Sequence, residues 1–264
     1  MKIGCKGLTD VLLTLKGVRL PLYLAWSDIR QRYRRSVLGP FWITISTAVM
    51  VCCLGFIFNS IFNSSLQIFL PFIATGLIVW GFISGCIIES TTVFTASESI
   101  IKQLPIPLFC HVVRMIAMNF YIFLHNLIIL PFVLLFVGRG VDTTILLFIP
   151  GLILVILNLL WLSLFLGIIC ARYRDLTQIV ANVLQIFFYV TPIIWLPNAL
   201  KGRANLLVLD SNPFYHLMEV IRAPVMGQSP TMLNWLICIL MVIVGWVFTI
   251  IVFNRYKSKV AYWL

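Results

Sequence analysis

Charged residues are scarce in this chain of 264 residues. They make up only 10% of it, against 61% hydrophobic residues, and the mean hydropathy is +1.06. A soluble domain of this size does not hide so much apolar surface, so the composition predicts a polytopic membrane protein. The long apolar runs lack a period of two, which favours helices over a β-barrel.

Sequence features of several enzyme and carrier classes are also missing. No glycine is followed by lysine, so the chain has no phosphate-binding loop of the Walker A type. Of eight acidic residues, only Glu89 falls within a predicted span, close to its end. A secondary carrier usually needs ionisable groups at mid-membrane, and a membrane-embedded glycan-processing enzyme needs a carboxylate cluster. These two classes remain as the alternatives.

Metal-ligand spacing is absent from the seven cysteines and three histidines. The cysteines are expected to pack as small hydrophobes, and we expect no metal or cofactor on this chain. A cleavable signal peptide is not predicted either, because Lys16, Arg19, Asp28 and Arg30 interrupt the early sequence.

Six apolar runs are long enough to cross a bilayer, which needs roughly 20 residues. They lie at about Gly39–Phe58, Ile68–Thr91, His111–Val137, Ile145–Ala171, Ile179–Leu196 and Met232–Phe253. With both termini in the cytoplasm, 15 of the 19 basic residues lie on the cytoplasmic side. This bias accounts for the formal charge of +11, so no nucleic-acid partner is expected. We predict one permease-like domain over 1–264, with a cytoplasmic N-terminus (1–38), a six-helix region (39–253) and a cytoplasmic tail (254–264).

An amphipathic helix is predicted to begin at Pro21, before the first span. Helical spacing puts apolar and aromatic residues on one side, and Asp28, Arg32 and Arg35 on another, with Asp28 and Arg32 four residues apart. The pattern is typical of a basic interfacial helix that faces anionic lipid. The simpler interpretation is a positively charged anchor for the first span.

Two charged segments join predicted spans on the cytoplasmic side. Thr95-Ala-Ser-Glu98 has the form of a capping box, which predicts a short helix over 96–104 that presents Glu98, Ile101 and Lys102. Pro105 would stop it. The compact turn Arg172-Tyr-Arg-Asp175 is a weaker pattern. Both segments could also be plain connections that set topology.

The segment between the last two spans is the longest connection on the other side. Thr191-Pro192 should kink or end the fifth span, and Asn212-Pro213 can start a helix that is too short to cross a bilayer. Irregular backbone at membrane depth needs cover from protein or a water-filled cavity, so the segment is predicted to be re-entrant. A surface loop resting on headgroups is the alternative.

Aromatic residues make up 14% of the chain. Several lie in or near the second and fifth spans, where they could stack on sugar rings along a conduit or simply pack helices together. They are Trp80, Phe82, Phe187, Phe188, Tyr189 and Trp195.

The stretch Asp28-Ile-Arg-Gln-Arg-Tyr-Arg-Arg-Ser-Val-Leu-Gly-Pro-Phe-Trp42 resembles the start of polysaccharide-export permeases of the type-2 ABC exporter class, the Wzm-like O-antigen permeases and their capsule and teichoic-acid relatives. Lys102-Gln-Leu-Pro-Ile-Pro107 and Arg172-Tyr-Arg-Asp-Leu-Thr-Gln-Ile179 resemble that family's cytoplasmic loops. Thr191-Pro-Ile-Ile-Trp195 and the run from Asn212 to Arg222 resemble its outer gate. One departure is Ser27 before Asp28, where the family commonly has arginine.

The resemblance implies a permease that is not itself an enzyme and exports a lipid-linked polysaccharide across the bacterial inner membrane. Two copies would pair, docked to two ABC ATPase subunits that bind the ATP and Mg. Coupling to the ATPase would involve Glu98, Ile101, Lys102, Arg172, Arg174 and Asp175. The lipid pyrophosphate would enter beside Arg30, Arg32, Tyr33, Arg34 and Arg35. The outer gate would include Trp195, Phe214 and Tyr215.

Overall fold

A computed structural model describes residues 6–34, 39, 41–62, 65–138, 140, 142–197 and 209–264. Their regular structure is helical throughout, without strands, as the sequence predicts. The α-helices are α1 (Lys6–Lys16), α2 (Arg19–Arg32), α3 (Phe41–Phe62), α4 (Leu66–Ser90), α5 (Glu98–Gln103), α6 (Leu108–Leu127), α7 (Ile129–Val137), α8 (Phe148–Arg172), α9 (Leu176–Val190), α10 (Pro213–Val225) and α11 (Met232–Trp263).

Four helical segments are long and apolar enough to cross a membrane: Leu66–Ser90, Leu108–Val137, Thr143–Arg172 and Met232–Trp263. They match the predicted second, third, fourth and sixth spans and confirm an integral membrane protein. The predicted first and fifth spans correspond to the shorter apolar helices Phe41–Ile57 and Leu176–Val190. The six-span topology therefore stays a prediction.

Helix α4 forms the centre of the bundle. It is predominantly apolar, as expected for a largely enclosed helix, and it packs against α3, α6, α7, α8, α9 and α10. Beside it, α8 and α11 form the most extensive helix pair. Asn158 Nδ2 of α8 donates to the Cys238 carbonyl of α11 at 3.1 Å, so this mid-span asparagine joins two helices.

Helix α9 ends at Val190, where Pro192 follows, and this confirms the predicted break. At 15 residues it rises only about 22 Å, less than the roughly 30 Å of a hydrocarbon core. Helix α10 then begins after Asn212, whose side chain caps it by accepting from the Phe214 and Tyr215 amides. Most of α10 is buried against α4, α8 and α11. How deeply it enters a bilayer stays a prediction.

Helix α1 is a feature that the sequence analysis missed. Its Asp10 is buried and accepts hydrogen bonds from the amides of Leu108 (3.2 Å) and Phe109 (3.0 Å) at the start of α6. Lys257 of α11 pairs with the same carboxylate at 2.8 Å. One acidic side chain thus joins the two terminal helices to α6.

Candidate functional site

The exposed side of α2 borders an open hollow of about 750 Å³. Three of the predicted pyrophosphate-binding residues, Arg30, Tyr33 and Arg34, line it, together with Tyr23, Trp26, Ser27, Gln31 and Gly39. Arg35 lies outside the described residues. Two guanidinium groups and three aromatic rings, on α2 and the two residues after it, make a surface suited to a phosphate ester with an apolar tail.

The opposite side of α2 is held by ion pairs. Asp28 binds Arg114 of α6 through two parallel hydrogen bonds of 2.5 and 2.6 Å. Arg32 lies 3.7 Å from Glu89 of α4, and Asn119 donates to Glu89 at 2.6 Å. Asp28 and Arg32, four residues apart on this side of α2, thus each pair with a residue on a neighbouring helix.

Arg32 is thus separated from the other predicted pyrophosphate-binding residues. With Asp28, Glu89 and Arg114 it lines a second cavity of about 360 Å³ that extends toward the residues before α5. His111 also borders this cavity and is almost fully buried. Among the described residues, neither of its ring nitrogens has a hydrogen-bond partner. The two cavities lie on different sides of α2, so α2 stands between them.

The predicted coupling segment forms α5, but it begins differently from the prediction. Thr95–Ser97 is a 3₁₀ turn, α5 begins at Glu98, and the Thr95 hydroxyl donates to the Thr92 carbonyl rather than capping the helix. The capping box is therefore not formed. The turn keeps its hydrogen bonds local, so the α-helix starts two residues later than predicted and ends at Gln103.

The side chains of α5 divide between solvent and core. Lys102 Nζ lies 2.7 Å from Glu98, and both side chains remain about half exposed. The hydrogen bond from Lys102, and then its charge, hold the pKa of Glu98 below its ordinary value. Ile101 instead packs partly against the apolar core. Helix α5 therefore has a charged, exposed side formed by Glu98 and Lys102, which we call its charged edge, and an apolar side that packs on the core through Ile101, which we call its base.

The second charged turn lies close to α5. The Arg174 charge acts on Glu98 and lowers its pKa further. The Arg172 guanidinium lies over the ring of Trp263 near the chain's end, 5.4 Å from the ring centroid. Asp175 is exposed and precedes α9 without capping it. We call the surface formed by α1, α2, α5, residues 172–175 and the last turns of α11 the basic end of the molecule.

Most of the predicted conduit aromatics meet beside α10, at the other end of α8. Phe214 lies 5.6 Å from Trp80 and 4.8 Å from Phe187, between ring centroids, and Trp80 also contacts Phe188. These four rings form what we call the aromatic cluster. Phe82 is not part of it; its side chain is buried against Phe120 and Phe123.

The remaining predicted gate residues border the aromatic cluster. Tyr189 contacts Phe188 at 5.3 Å between ring centroids, and its carbonyl accepts from Trp195 Nε1 at 3.0 Å. Tyr215 packs edge-on against His216. These residues therefore come together around the break after α9 and the start of α10.

Arg222 is a residue to which the sequence analysis gave no role. It is 1% exposed, donates to the Pro192 carbonyl at 2.5 Å, pairs with Glu219 at 2.6 Å and lies over the Phe72 ring. One side chain thus joins α10, α4 and the irregular segment after α9. The signal in the sequence was an arginine within the apolar pattern of a short helix.

Two further buried polar pairs fix the same region. Asn212 donates to the Thr191 hydroxyl at 2.8 Å, across the break after α9. His216 bonds Asn234 at the start of α11 at 2.8 Å. We call α10, these pairs and Arg222 the α10 end. In the part of the chain that the structure describes, no group of three or more His, Cys, Asp or Glu residues could hold a metal ion.

The four long apolar helices define the described residues as part of a multi-pass, all-helical membrane protein. The model of one family, described as ABC-2 type transporter, matches residues 21–226, which is more than half of the chain. The chain belongs to this family.

Two relatives carry the same name, O-antigen export system permease protein RfbA. The relative from Myxococcus xanthus is 23% identical over 206 residues, covering 77% of this chain and 79% of its own length. One from Klebsiella pneumoniae is 23% identical over 241 residues, covering 89% and 90%. These matches confirm the resemblance to Wzm-like polysaccharide-export permeases.

Proposed function

We propose that this chain is the membrane-spanning subunit of an ATP-driven exporter that moves a lipid-linked polysaccharide, an O-antigen or a capsular polymer, across the bacterial inner membrane. The observation that carries the proposal is the match to O-antigen export permeases over nearly nine-tenths of both chains. In this proposal the active unit is two copies of the chain with two copies of an ABC ATPase, and both termini lie in the cytoplasm.

The charged edge of α5 is the proposed ATPase contact. Helix α5 is short, its Glu98 and Lys102 side chains are exposed, and Arg172, Arg174 and Asp175 lie exposed nearby. Ile101 anchors the base of the helix in the core. A movement of α5 caused by the ATPase would therefore be transmitted to the helix bundle through Ile101. ATP and Mg would bind only to the partner subunit.

The hollow beside α2 is the proposed site for the lipid pyrophosphate. Arg30 and Arg34 can each donate a planar pair of N–H groups to phosphate oxygens, and Tyr23, Trp26 and Tyr33 can cover the start of the lipid chain. Arg32 is assigned a different part, because its partner is Glu89. It would hold α2 in place rather than bind substrate.

The aromatic cluster is the proposed contact for the sugar chain. Trp80, Phe187, Phe188 and Phe214, bordered by Tyr189, Trp195 and Tyr215, offer ring faces that can stack on successive sugars without demanding one sequence. Phe82 is left as a packing residue in this proposal.

The experiment is affinity purification of the tagged chain from a strain that displays the polymer, followed by export assays. An ABC ATPase subunit should co-purify, and blocking ATP hydrolysis on it should stop surface display. Arg30→Gln with Arg34→Gln should reduce export strongly, while Arg255→Gln, an exposed arginine on α11 outside the hollow, serves as the matched control. Continued export without ATP hydrolysis, or purification without an ATPase, contradicts the proposal.

A further inference from the structure

Helix α1 has the reverse of the usual amphipathic arrangement. Its buried stripe contains an aspartate and a threonine, while its leucines face outward. The buried residues are Gly7, Asp10, Val11 and Thr14, and the exposed leucines are Leu8, Leu12, Leu13 and Leu15. A helix surrounded by water would place these leucines inward, so the outward side of α1 requires an apolar neighbour.

The rotation of α1 is fixed by its polar stripe. Asp10 accepts from two α6 amides and pairs with Lys257, and the Gly7 amide donates to Asn254 at 2.7 Å. A side chain at Gly7 would collide with Phe253 and Asn254, so the close approach of α1 to α11 requires glycine there. The helix cannot turn its leucines inward without breaking these contacts.

The position of α1 indicates what that neighbour is. It docks where the apolar run of α6 begins, at Leu108, and where that of α11 ends, at Asn254. We expect the ends of these two apolar runs to lie at the boundary between the hydrocarbon core and the headgroups. Leu8, Leu12 and Leu15 have the spacing i, i+4, i+7, which gives one continuous apolar stripe along the helix.

Charge supports a lipid surface over a protein one. Lys16 and Arg19 are exposed at the end of α1 and the start of α2, and the only acid of α1, Asp10, is buried. Leucines beside basic residues, without exposed acids, are the pattern of helices that lie in the plane of an anionic membrane surface.

We infer that α1 is a membrane-surface helix. Leu8, Leu12 and Leu15 insert at the boundary between headgroups and acyl chains, and Lys16 and Arg19 bind anionic headgroups. This surface is separate from the hollow proposed for the transported lipid, and it would act in the absence of any transport. It would hold the start of α6, and with it the base of α5, at a fixed height relative to the membrane.

Photo-crosslinking of the full chain in its native membrane tests this inference. A benzophenone amino acid replaces Leu12 or, separately, Leu15. The exposed mid-helix residue Leu240 of α11 is the positive control, and the exposed Gln103 of α5 is the negative control. We expect lipid adducts from Leu12 and Leu15 at a yield close to that of Leu240 and several-fold above that of Gln103.

Other crosslinking partners would overturn the inference. A crosslink from Leu12 to an ATPase subunit or to a second copy of the chain assigns the leucine stripe to a protein interface. If Leu12 and Leu15 give no lipid adducts while Leu240 does, the leucine stripe of α1 faces water rather than lipid. Because export is not measured, this result stands apart from the outcome for the proposed function.

A second measurement tests the charge component in nanodiscs that mix phosphatidylcholine and phosphatidylglycerol. With the benzophenone at Leu12, changing Lys16→Gln and Arg19→Gln should lower the share of phosphatidylglycerol among the adducts at least twofold. The control changes Arg255→Gln and Lys259→Gln, two exposed residues of α11 that do not belong to the leucine stripe of α1, and should leave that share unchanged. An unchanged share after Lys16→Gln and Arg19→Gln contradicts the role of these two residues.

Discussion

Arg222 at the α10 end keeps only 1% of its side chain exposed, whereas Lys102 and Glu98 at the basic end keep 48% and 44%. Each arginine or lysine pairs with an acid on its own helix, three or four residues away. The difference lies in what surrounds the pair: a ring, a carbonyl and packed helices around Arg222, and solvent around Lys102.

This difference indicates how each end is stabilised. At the α10 end, the polar groups of Asn212, His216 and Arg222 are paired within the chain, so the chain itself fixes the short helix. At the basic end, the exposed pair contributes little to folding because solvent screens it. Its charges are left available for another molecule.

Arg222→Met should cause the largest loss of stability. It would leave the Glu219 carboxylate and the Pro192 carbonyl without their donor, and breaking a buried pair costs about 3–5 kcal/mol. Thermal unfolding of the detergent-purified protein measures the loss. Arg34→Met, an exposed arginine at the basic end, is the matched control and should unfold like the parent.

The variant with both Arg222→Met and Glu219→Gln sharpens the same comparison. Because it removes the unpaired charge, it should recover part of the lost stability. If Arg222→Met unfolds at the parent's temperature, the buried polar groups of the α10 end contribute no more to stability than the exposed pair at the basic end does.

Asp28→Asn should have an intermediate effect, because the Asp28–Arg114 pair is about three-quarters buried although it lies at the basic end. The asparagine keeps the shape but loses a doubly hydrogen-bonded ion pair, at a cost of about 1.5–3 kcal/mol. Hydrogen exchange of residues 19–32 should increase as α2 loosens from α6. Ser27→Ala, on the hollow side of α2, is the control.

A charge exchange separates the ion pair from other causes. Asp28→Arg combined with Arg114→Asp should protect α2 better than either single change does. Equal exchange in Asp28→Asn and in the parent would show that the pair does not hold α2.

The predictable parts of the fold are those set by local patterns. The apolar runs located the four long apolar helices. Asn212-Pro213 located the start of α10, because a cap and a proline act on their own neighbours. Helix α1 escaped prediction because its apolar residues face outward while its buried stripe contains Asp10 and Thr14. A pattern search that expects leucines inside does not detect such a helix.

The residues of the candidate site could be predicted from the sequence, but their ion-pair partners could not. The arginines in and just after α2 were identified from sequence, yet Arg32 and Arg34 face different cavities. Spacing places Arg32 four residues from Asp28, whereas the ion-pair partner of Asp28 is Arg114, 86 residues away. Long-range partners depend on how helices pack, which spacing within one helix does not encode.

Gly151→Ala should cause a smaller loss at the α10 end. A Cβ at Gly151 of α8 would collide with the Val220 carbonyl of α10, and backbone yields less easily than a side chain. We expect a loss of about 1–3 kcal/mol, as for other overpacked contacts. Gly81→Ala in α4 is the control, because its Cβ meets nothing within 4 Å. Equal unfolding temperatures for the two variants would contradict the close packing of α10 on α8.

Glu98→Arg should have the smallest effect on stability and a large effect on partner binding. The side chain is exposed and its pKa lies below the ordinary value, so Glu98 is fully ionised near neutral pH and the substitution reverses a real charge. Unfolding and membrane insertion should match the parent, while pull-down of the ATPase subunit should fall several-fold. Asp210→Arg, the same charge reversal at an exposed acid of the α10 end, should leave pull-down unchanged. If Glu98→Arg pulls down as much ATPase as the parent does, α5 is not the ATPase contact. The exposed charges of the basic end would then have to serve another partner.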